Sequence, residues 1–250
     1  MNRTLAAALF LVTFTAAPAA AVTIQLDPSL NSQTFPTGVS DFKAGATDVI
    51  GIGIHTNGSN GPIRSFTAFD LSSLPNSPYL QITSATFSFN TQTNAGNIPN
   101  SLVMASLNTP LAMTDPGLSW TSINGTNNWT TPGGNIGSVL GTLSAPWADN
   151  TAYAFGSTPN FVQAVQNAYN ANIPLQVLLY MPGQEAAFPT PSTAGGFIRI
   201  HARNNPTLGG TLTLNYDIVI PPVPAPEPGT ALLASLGIVF LGMRRRRTQS

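Results

Sequence analysis

Short runs in which apolar and polar residues alternate recur along the chain, and turn-forming residues separate them. Period-two alternation is typical of a strand with one buried face. Gly and Pro contribute 22 residues each, which breaks the chain into short segments. The sequence therefore predicts an all-β fold, a jelly-roll-like β-sandwich. The predicted strands are 22–26, 49–54, 63–69, 82–89, 102–107, 139–143, 152–155, 175–180, 197–201 and 211–216.

One helix is predicted, over residues 159–170. Thr158 suits the N-cap, and Pro159 suits the first turn. Phe161, Val165 and Tyr169 follow at intervals of four and so form one apolar stripe. We expect this stripe to pack over one end of the sandwich.

Composition excludes several classes of protein. The chain has no Cys, which excludes a disulfide scaffold, a thiol enzyme and a zinc ribbon. Charged residues are only 7% of the chain, which argues against a coiled coil. Residues 22–220 carry four basic and eight acidic side chains, a balance of −4. A nucleic-acid partner is not expected, since such a partner requires a basic surface.

The N-terminus has the pattern of a signal peptide over residues 1–21. Arg3 supplies the positive charge, an apolar run follows, and Ala19 to Ala21 provide small residues for cleavage before Val22. The alternative is an uncleaved N-terminal anchor. With the signal peptide removed, residues 22–218 are predicted to form one β domain.

The C-terminus has three successive parts. Residues 219–225 are a Pro-rich linker, which favours an extended spacer. Residues 226–250 then hold an apolar stretch, 229–243, predicted as a short transmembrane helix. The arginines after it are expected to stay cytoplasmic, so the β domain is exported. A plain membrane anchor is one interpretation. The residues at the two ends of this tail are Pro226, Glu227, Pro228, Gly229, Arg244, Arg245, Arg246 and Arg247.

The order Pro-Glu-Pro, apolar helix and arginine cluster resembles the PEP-CTERM sorting signal, over about residues 224–247. The resemblance implies an exported protein of a Gram-negative bacterium that is recognised by an exosortase. It implies a transient single-pass anchor in the inner membrane, cleaved near the motif, and a final place in the cell envelope or outside the cell. Proteins with this signal are commonly associated with exopolysaccharide and the biofilm matrix.

Several segments resemble the DNRLRE-type domain, an extracellular jelly roll similar to carbohydrate-binding modules. The most specific segments are residues 64–75, which end in Phe-Asp-Leu-Ser-Ser-Leu-Pro, and residues 82–89. Residues 120–132, the predicted helix with 175–180, and 211–216 extend the resemblance over most of the domain. The tract that names that family is absent here.

Trp120, Trp129 and Trp147 lie in or beside polar, turn-rich segments and are candidates for carbohydrate binding. Sugar rings stack on aromatic faces, and the amide of Asn128 is placed to bind their hydroxyl groups. The alternative is that each Trp packs beneath its own loop.

Few residues suggest metal binding or catalysis. Asp70 is a weak candidate for calcium, the one possible cofactor, and capping the turn that follows it is the favoured alternative. His55 and His201 stand in no metal-binding or catalytic motif. We therefore expect no enzyme but an exported envelope or matrix protein. The alternatives are a carbohydrate-binding module and, less favoured, a polysaccharide-active enzyme with paired carboxylates.

Overall fold

The computed structural model describes residues 22–34, 49–54, 62–96, 98, 101–108, 130, 134–182, 196–201 and 208–221. The chain divides into two compact units, residues 1–218 and 219–250, and the described strands and helix belong to the first. The strands are β1 (Val22–Leu26), β2 (Pro28–Thr34), β3 (Val49–Ile54), β4 (Pro62–Phe69), β5 (Leu80–Gly96), β6 (Ser101–Leu107), β7 (Ile136–Ser144), β8 (Ala152–Phe155), β9 (Leu175–Tyr180), β10 (Gly196–His201) and β11 (Thr211–Ile218), with the helix α1 (Pro159–Asn170) between β8 and β9.

The strands form one antiparallel sheet in the order β1-β11-β5-β10-β3-β4-β9-β6-β7. Two short strands lie off this path, since β2 pairs with β4 and β8 pairs with β5. The sheet curls, so that residues far apart in strand order meet. The rings of Phe69 on β4 and Phe87 on β5 pack edge to face with centroids 5.3 Å apart.

The described residues form one aromatic-rich core, which fills the curl. Phe87 stacks on Phe155 at 6.3 Å, and Phe89 packs against Phe155 at 5.9 Å. Leucines from both ends of the strand order and isoleucines from its middle strands complete the cluster. Burial of these side chains is the main stabilising contribution to the fold. The largest fully buried side chains are Phe66, Phe69, Phe87, Phe89, Phe155, Phe161, Ile52, Leu102, Met104 and Leu140.

The helix α1 begins and ends where the sequence predicts. The Thr158 hydroxyl accepts a hydrogen bond from the backbone N–H of Phe161 at 3.1 Å, which is the predicted N-cap. Phe161 and Val165 are fully buried and join the core, and Tyr169 is half-buried against it. The apolar stripe therefore packs inward, and it contacts β5, β7 and β9.

Side chains at the start of α1 cover the free edge of β7. The Thr158 hydroxyl donates to the carbonyl of Leu140 at 2.6 Å, and the Asn160 amide donates to that of Val139 at 3.0 Å. An edge strand otherwise presents unpaired backbone groups. The same helix thus caps itself and protects one end of the sheet.

The other side of α1 covers the edge of β5. The Gln166 side chain accepts from the N–H of Ile82 at 2.8 Å and donates to the carbonyl of Leu80 at 3.2 Å. Just before the helix, the Ser157 hydroxyl accepts from the N–H of Ala85. Because α1 bonds to β5 on one side and to β7 on the other, it bridges two edges of the curled sheet.

The ten predicted strands are all present, which confirms a mostly β fold with one short helix. The structure differs from the prediction in the length of one strand and in the number of strands. The strand predicted at 82–89 extends over Leu80–Gly96, and its polar second half pairs with β10. β2 is an additional strand that the sequence does not predict, because Pro-Ser-Leu-Asn-Ser-Gln-Thr lacks apolar alternation. Its pairing with β4 supplies the backbone hydrogen bonds that its composition does not suggest.

In the described parts of the chain, none of the helices combines the length and apolarity needed to cross a membrane. The predicted transmembrane segment 229–243 and the predicted signal peptide 1–21 both lie outside those parts.

Candidate functional site

An open groove of about 590 Å³ runs beside α1, between the helix and the ends of β6, β7 and β9. Its floor is apolar and includes Leu140, Ala168 and Leu175, all of them buried. Ile173 stands at the groove with 47% of its surface exposed. None of the fourteen residues that line it carries a charge. Six are polar: Ser106, Ser138, Asn160, Gln163, Asn167 and Gln176.

Three of these amides form a row along α1, at Asn160, Gln163 and Asn167. Spacings of three and four residues place them on one face of the helix. The Gln163 amide donates to the side-chain oxygen of Asn167 at 2.7 Å. An amide offers both donors and acceptors, so the pair can bond further to a ligand through the Gln163 oxygen and the Asn167 amide protons. The row therefore suits a ligand rich in hydroxyl groups.

A second open groove, of about 550 Å³, lies between the end of α1 and the turn that follows β4. It contains Asp70, the candidate calcium ligand. One Asp70 carboxylate oxygen accepts from the Ser72 N–H and the other from the Ser72 hydroxyl, both at 2.9 Å. Asp70 thus caps the turn, the alternative favoured by the sequence. Within the described parts of the chain, no group of three or more His, Cys, Asp or Glu side chains is placed to hold a metal ion.

The same turn is held from the helix side by Tyr169. Its hydroxyl lies within donating distance of two backbone carbonyl oxygens, that of Pro75 at 2.7 Å and that of Ser77 at 2.9 Å. The same hydroxyl accepts a hydrogen bond from the Ser77 N–H. These hydrogen bonds fix the turn to the helix.

Trp147 is the one tryptophan candidate that the described residues include. It is half-buried, packs against the core and lies 5.1 Å from the ring of Tyr153. The Tyr153 hydroxyl donates to the carbonyl of Pro146 and accepts from the N–H of Ala148, the two residues that flank Trp147. This arrangement matches a Trp packed beneath its loop. Trp120, Trp129 and Asn128 lie outside the described residues.

His201 is 8% exposed on β10, and His55 lies outside the described residues. The carboxylates of the described part belong to Asp27, Asp70, Asp149 and Asp217, which lie on separate segments. The Asp149 carboxylate accepts from the Asn94 N–H at 2.7 Å, a structural contact between its turn and β5. The absence of catalysis stays a prediction.

The end of the domain leads into the sorting tail. β11 ends at Ile218, and the next residues are exposed, with Ile220 at 71%. Pro221 is the last described residue, so the predicted sorting residues Pro226, Glu227, Pro228, Gly229 and Arg244 to Arg247 lie beyond the described part.

Residues 224–247 match the PEP-CTERM protein-sorting motif. This confirms the predicted sorting signal, in the range that the sequence indicated. The motif implies export, a C-terminal sorting signal anchored in the membrane, and processing by an exosortase.

No curated protein matches the chain. One similar solved structure, that of an infectious bursal disease virus Gx strain, aligns with 87% of this chain at 9% identity and a TM-score of 0.20. The chain spans 42% of the length of that protein. A likeness this weak carries no argument about fold or function. The resemblance to the DNRLRE type stays a prediction.

The amide row is not among the site residues that the sequence predicts. The signal was present, because the predicted helix 159–170 carries Asn160, Gln163 and Asn167 on one face. That these residues border a groove depends on β6 and β7, which are distant in sequence. No sequence pattern indicates that contact.

Proposed function

We propose that this protein is a non-catalytic component of the cell envelope or extracellular matrix of a Gram-negative bacterium. In this proposal an exosortase releases it from a transient inner-membrane anchor. The sorting motif at 224–247 carries the proposal. The exposed Val219 and Ile220 after β11 support it, because a spacer between domain and cleavage site must be reachable by an enzyme.

The domain itself is proposed to be a two-layered jelly roll of the DNRLRE type. One layer would comprise β1, β11, β5 and β8, and the other β2, β4, β9, β6 and β7. The contact between Phe69 and Phe87 supports this arrangement, because those rings belong to different proposed layers.

The sorting proposal is tested by the mass and location of the native protein. Intact mass after fractionation should show a chain that has lost Arg244 to Arg247 and lies in the outer envelope or the medium. Replacing Pro226, Glu227 and Pro228 with alanine should leave a full-length tail in the inner membrane. Normal processing of that triple variant would refute exosortase recognition through the motif.

Association with a neutral polysaccharide is the second part of the proposal, and the groove beside α1 supports it. The described lining residues carry no charge to balance a phosphate or a carboxylate, whereas their amides and hydroxyls suit neutral sugars. An apolar floor with polar walls is typical of small-molecule sites. The matrix polysaccharide of the host is the expected ligand.

Affinity electrophoresis in gels that contain this polysaccharide tests the groove. Gln163→Ala combined with Asn167→Ala should abolish retardation. Gln25→Ala, which removes an exposed amide on β1, is the matched control and should bind normally. If only Trp129→Ala loses binding, the polysaccharide is bound at the tryptophan candidates and not in the groove beside α1. Equal retardation of all variants would refute both sites.

A polysaccharide-active enzyme is the remaining alternative. Incubation of the purified protein with the same polysaccharide should release no new reducing ends. Product formation that is lost when one carboxylate is replaced would overturn the non-catalytic proposal.

A further inference from the structure

Asp217, near the end of β11, has a carboxylate oxygen in an unfavourable position. Its Oδ1 atom is buried and accepts no hydrogen bond from the described residues. A buried carboxylate oxygen without a donor destabilises a fold, and a nearby cation relieves the cost. The neighbouring strand β1 can provide such a cation.

The register of β1 against β11 brings Val22 beside Asp217. Val22 pairs with Tyr216, and Thr23 pairs with Asn215. Because the strands are antiparallel, Asp217 lies opposite the residue that precedes Val22. The backbone nitrogen of Val22 is bonded to that residue and so lies on the side of Val22 nearer to Asp217. Since paired strands are about 4.8 Å apart, that nitrogen is within reach of the Asp217 side chain.

Side chains of β1 and β11 already make a contact on the face of the sheet that carries Asp217. Asn215 and Asp217 are two residues apart and share one face of β11. The Thr23 hydroxyl donates to the Asn215 side-chain oxygen at 2.6 Å. The next position along the same row is that of Asp217, whose partner strand begins at Val22.

We propose that Asp217 is the binding site for the α-ammonium group that signal-peptide cleavage creates on Val22. The inference rests on the proposed export and on cleavage before Val22. Hydrolysis breaks the Ala21–Val22 peptide bond, and water supplies the new carboxylate oxygen of Ala21. The Val22 nitrogen gains the protons of an ammonium group, which is mostly charged at neutral pH. In the precursor the same nitrogen is a neutral amide.

The ion pair has a consequence for the mature domain. It joins the first residue of β1 to the end of β11, from which the chain continues through Ile218 into the exposed linker. Cleavage at the N-terminus thus stabilises the strand end after which the chain continues toward the sorting motif. The sheet reaches its full stability only after the signal peptide is removed.

The test uses the exported protein purified from its host, with its N-terminus verified by mass. Lys43 is the only lysine of the chain, so acetylation near pH 7 is selective for the α-amino group. Acetylation should lower the Tm by roughly 2–4 °C, the shift expected for one modest interaction in a domain of this size. Asp217→Asn should lower it by a similar amount. Acetylation of the Asp217→Asn protein should cause no further loss, because the two changes remove the same contact.

Asp27→Asn is the matched control, since Asp27 is exposed and follows the other end of β1. Its response to acetylation should equal that of the unmodified sequence. Additive losses for acetylation and Asp217→Asn, or no loss for either, would overturn the ion pair. If Asp217→Asn does not fold, acetylation of the natural sequence decides alone. An N-terminus other than Val22 would also overturn the inference, whereas the C-terminal mass tests exosortase sorting separately.

Discussion

Replacing Gln166 with alanine tests whether α1 holds the edge of β5. The substitution removes an acceptor from the N–H of Ile82 and a donor from the carbonyl of Leu80. Both residues are buried, at 6% and 3% exposure, so water replaces these bonds poorly. Each buried backbone group left without a partner costs about 1–3 kcal/mol. We expect a loss of roughly 2–3 kcal/mol in the free energy of unfolding, or a fall in Tm of about 4–10 °C.

Gln163→Ala is the matched control for this prediction. It makes the same change in helix propensity, one turn earlier on the same helix. The Gln163 side chain is exposed and bonds only to Asn167 among the described residues. Its replacement should change stability by no more than about 0.5 kcal/mol.

The assay is urea unfolding of the full mature protein, followed by circular dichroism. Amide hydrogen exchange gives a local readout, because the N–H of Ile82 should lose protection in Gln166→Ala but not in Gln163→Ala. Equal stability of the two variants, with unchanged exchange at Ile82, would refute the view that this glutamine replaces a strand partner.

Three further changes test other contacts of the domain. Thr158→Ala removes both the helix cap and a bond to β7 and should cost about 1–2 kcal/mol in urea unfolding, whereas Thr158→Ser should restore most of it. Gly210→Ala places a methyl group 2.7 Å from the ring of Phe87 and should cost about 1–3 kcal/mol; a neutral result would mean that the ring moves aside freely. Asp70→Ala removes the acceptors of both Ser72 bonds and should lower the Tm by a few degrees, with millimolar calcium leaving the Tm of the natural sequence unchanged. A clear rise in Tm with calcium would favour the metal site.

Local patterns predicted most of the elements of the fold. The boundaries of α1 follow from Thr158, Pro159 and the apolar stripe, because capping and periodicity act within one or two turns. The sequence predicts β4 and β9 because apolar residues recur within them and turn residues bound them. β2 was missed because a polar edge strand is stabilised by its neighbour β4 and not by its own sequence.

The candidate sites divide in the same way. The sorting signal is a linear feature, so its order of residues at 224–247 was sufficient to identify it. Trp147 is a candidate because of its polar surroundings in sequence, and its packing against Tyr153 is a contact that only the tertiary structure supplies. The amide row on α1 was visible in sequence, but its groove is formed by strands that are distant along the chain.

The sequence by itself determined the class of fold, the helix, most of the strands and the sorting signal in the tail. These properties depend on periodicity, capping and motif order, which neighbouring residues specify. Tertiary structure decided the strand order, the curl of the sheet, the role of Gln166 at the edge of β5, and the approach of Val22 to Asp217. Such contacts join residues up to about two hundred positions apart, and only the shared burial of their surfaces brings them together.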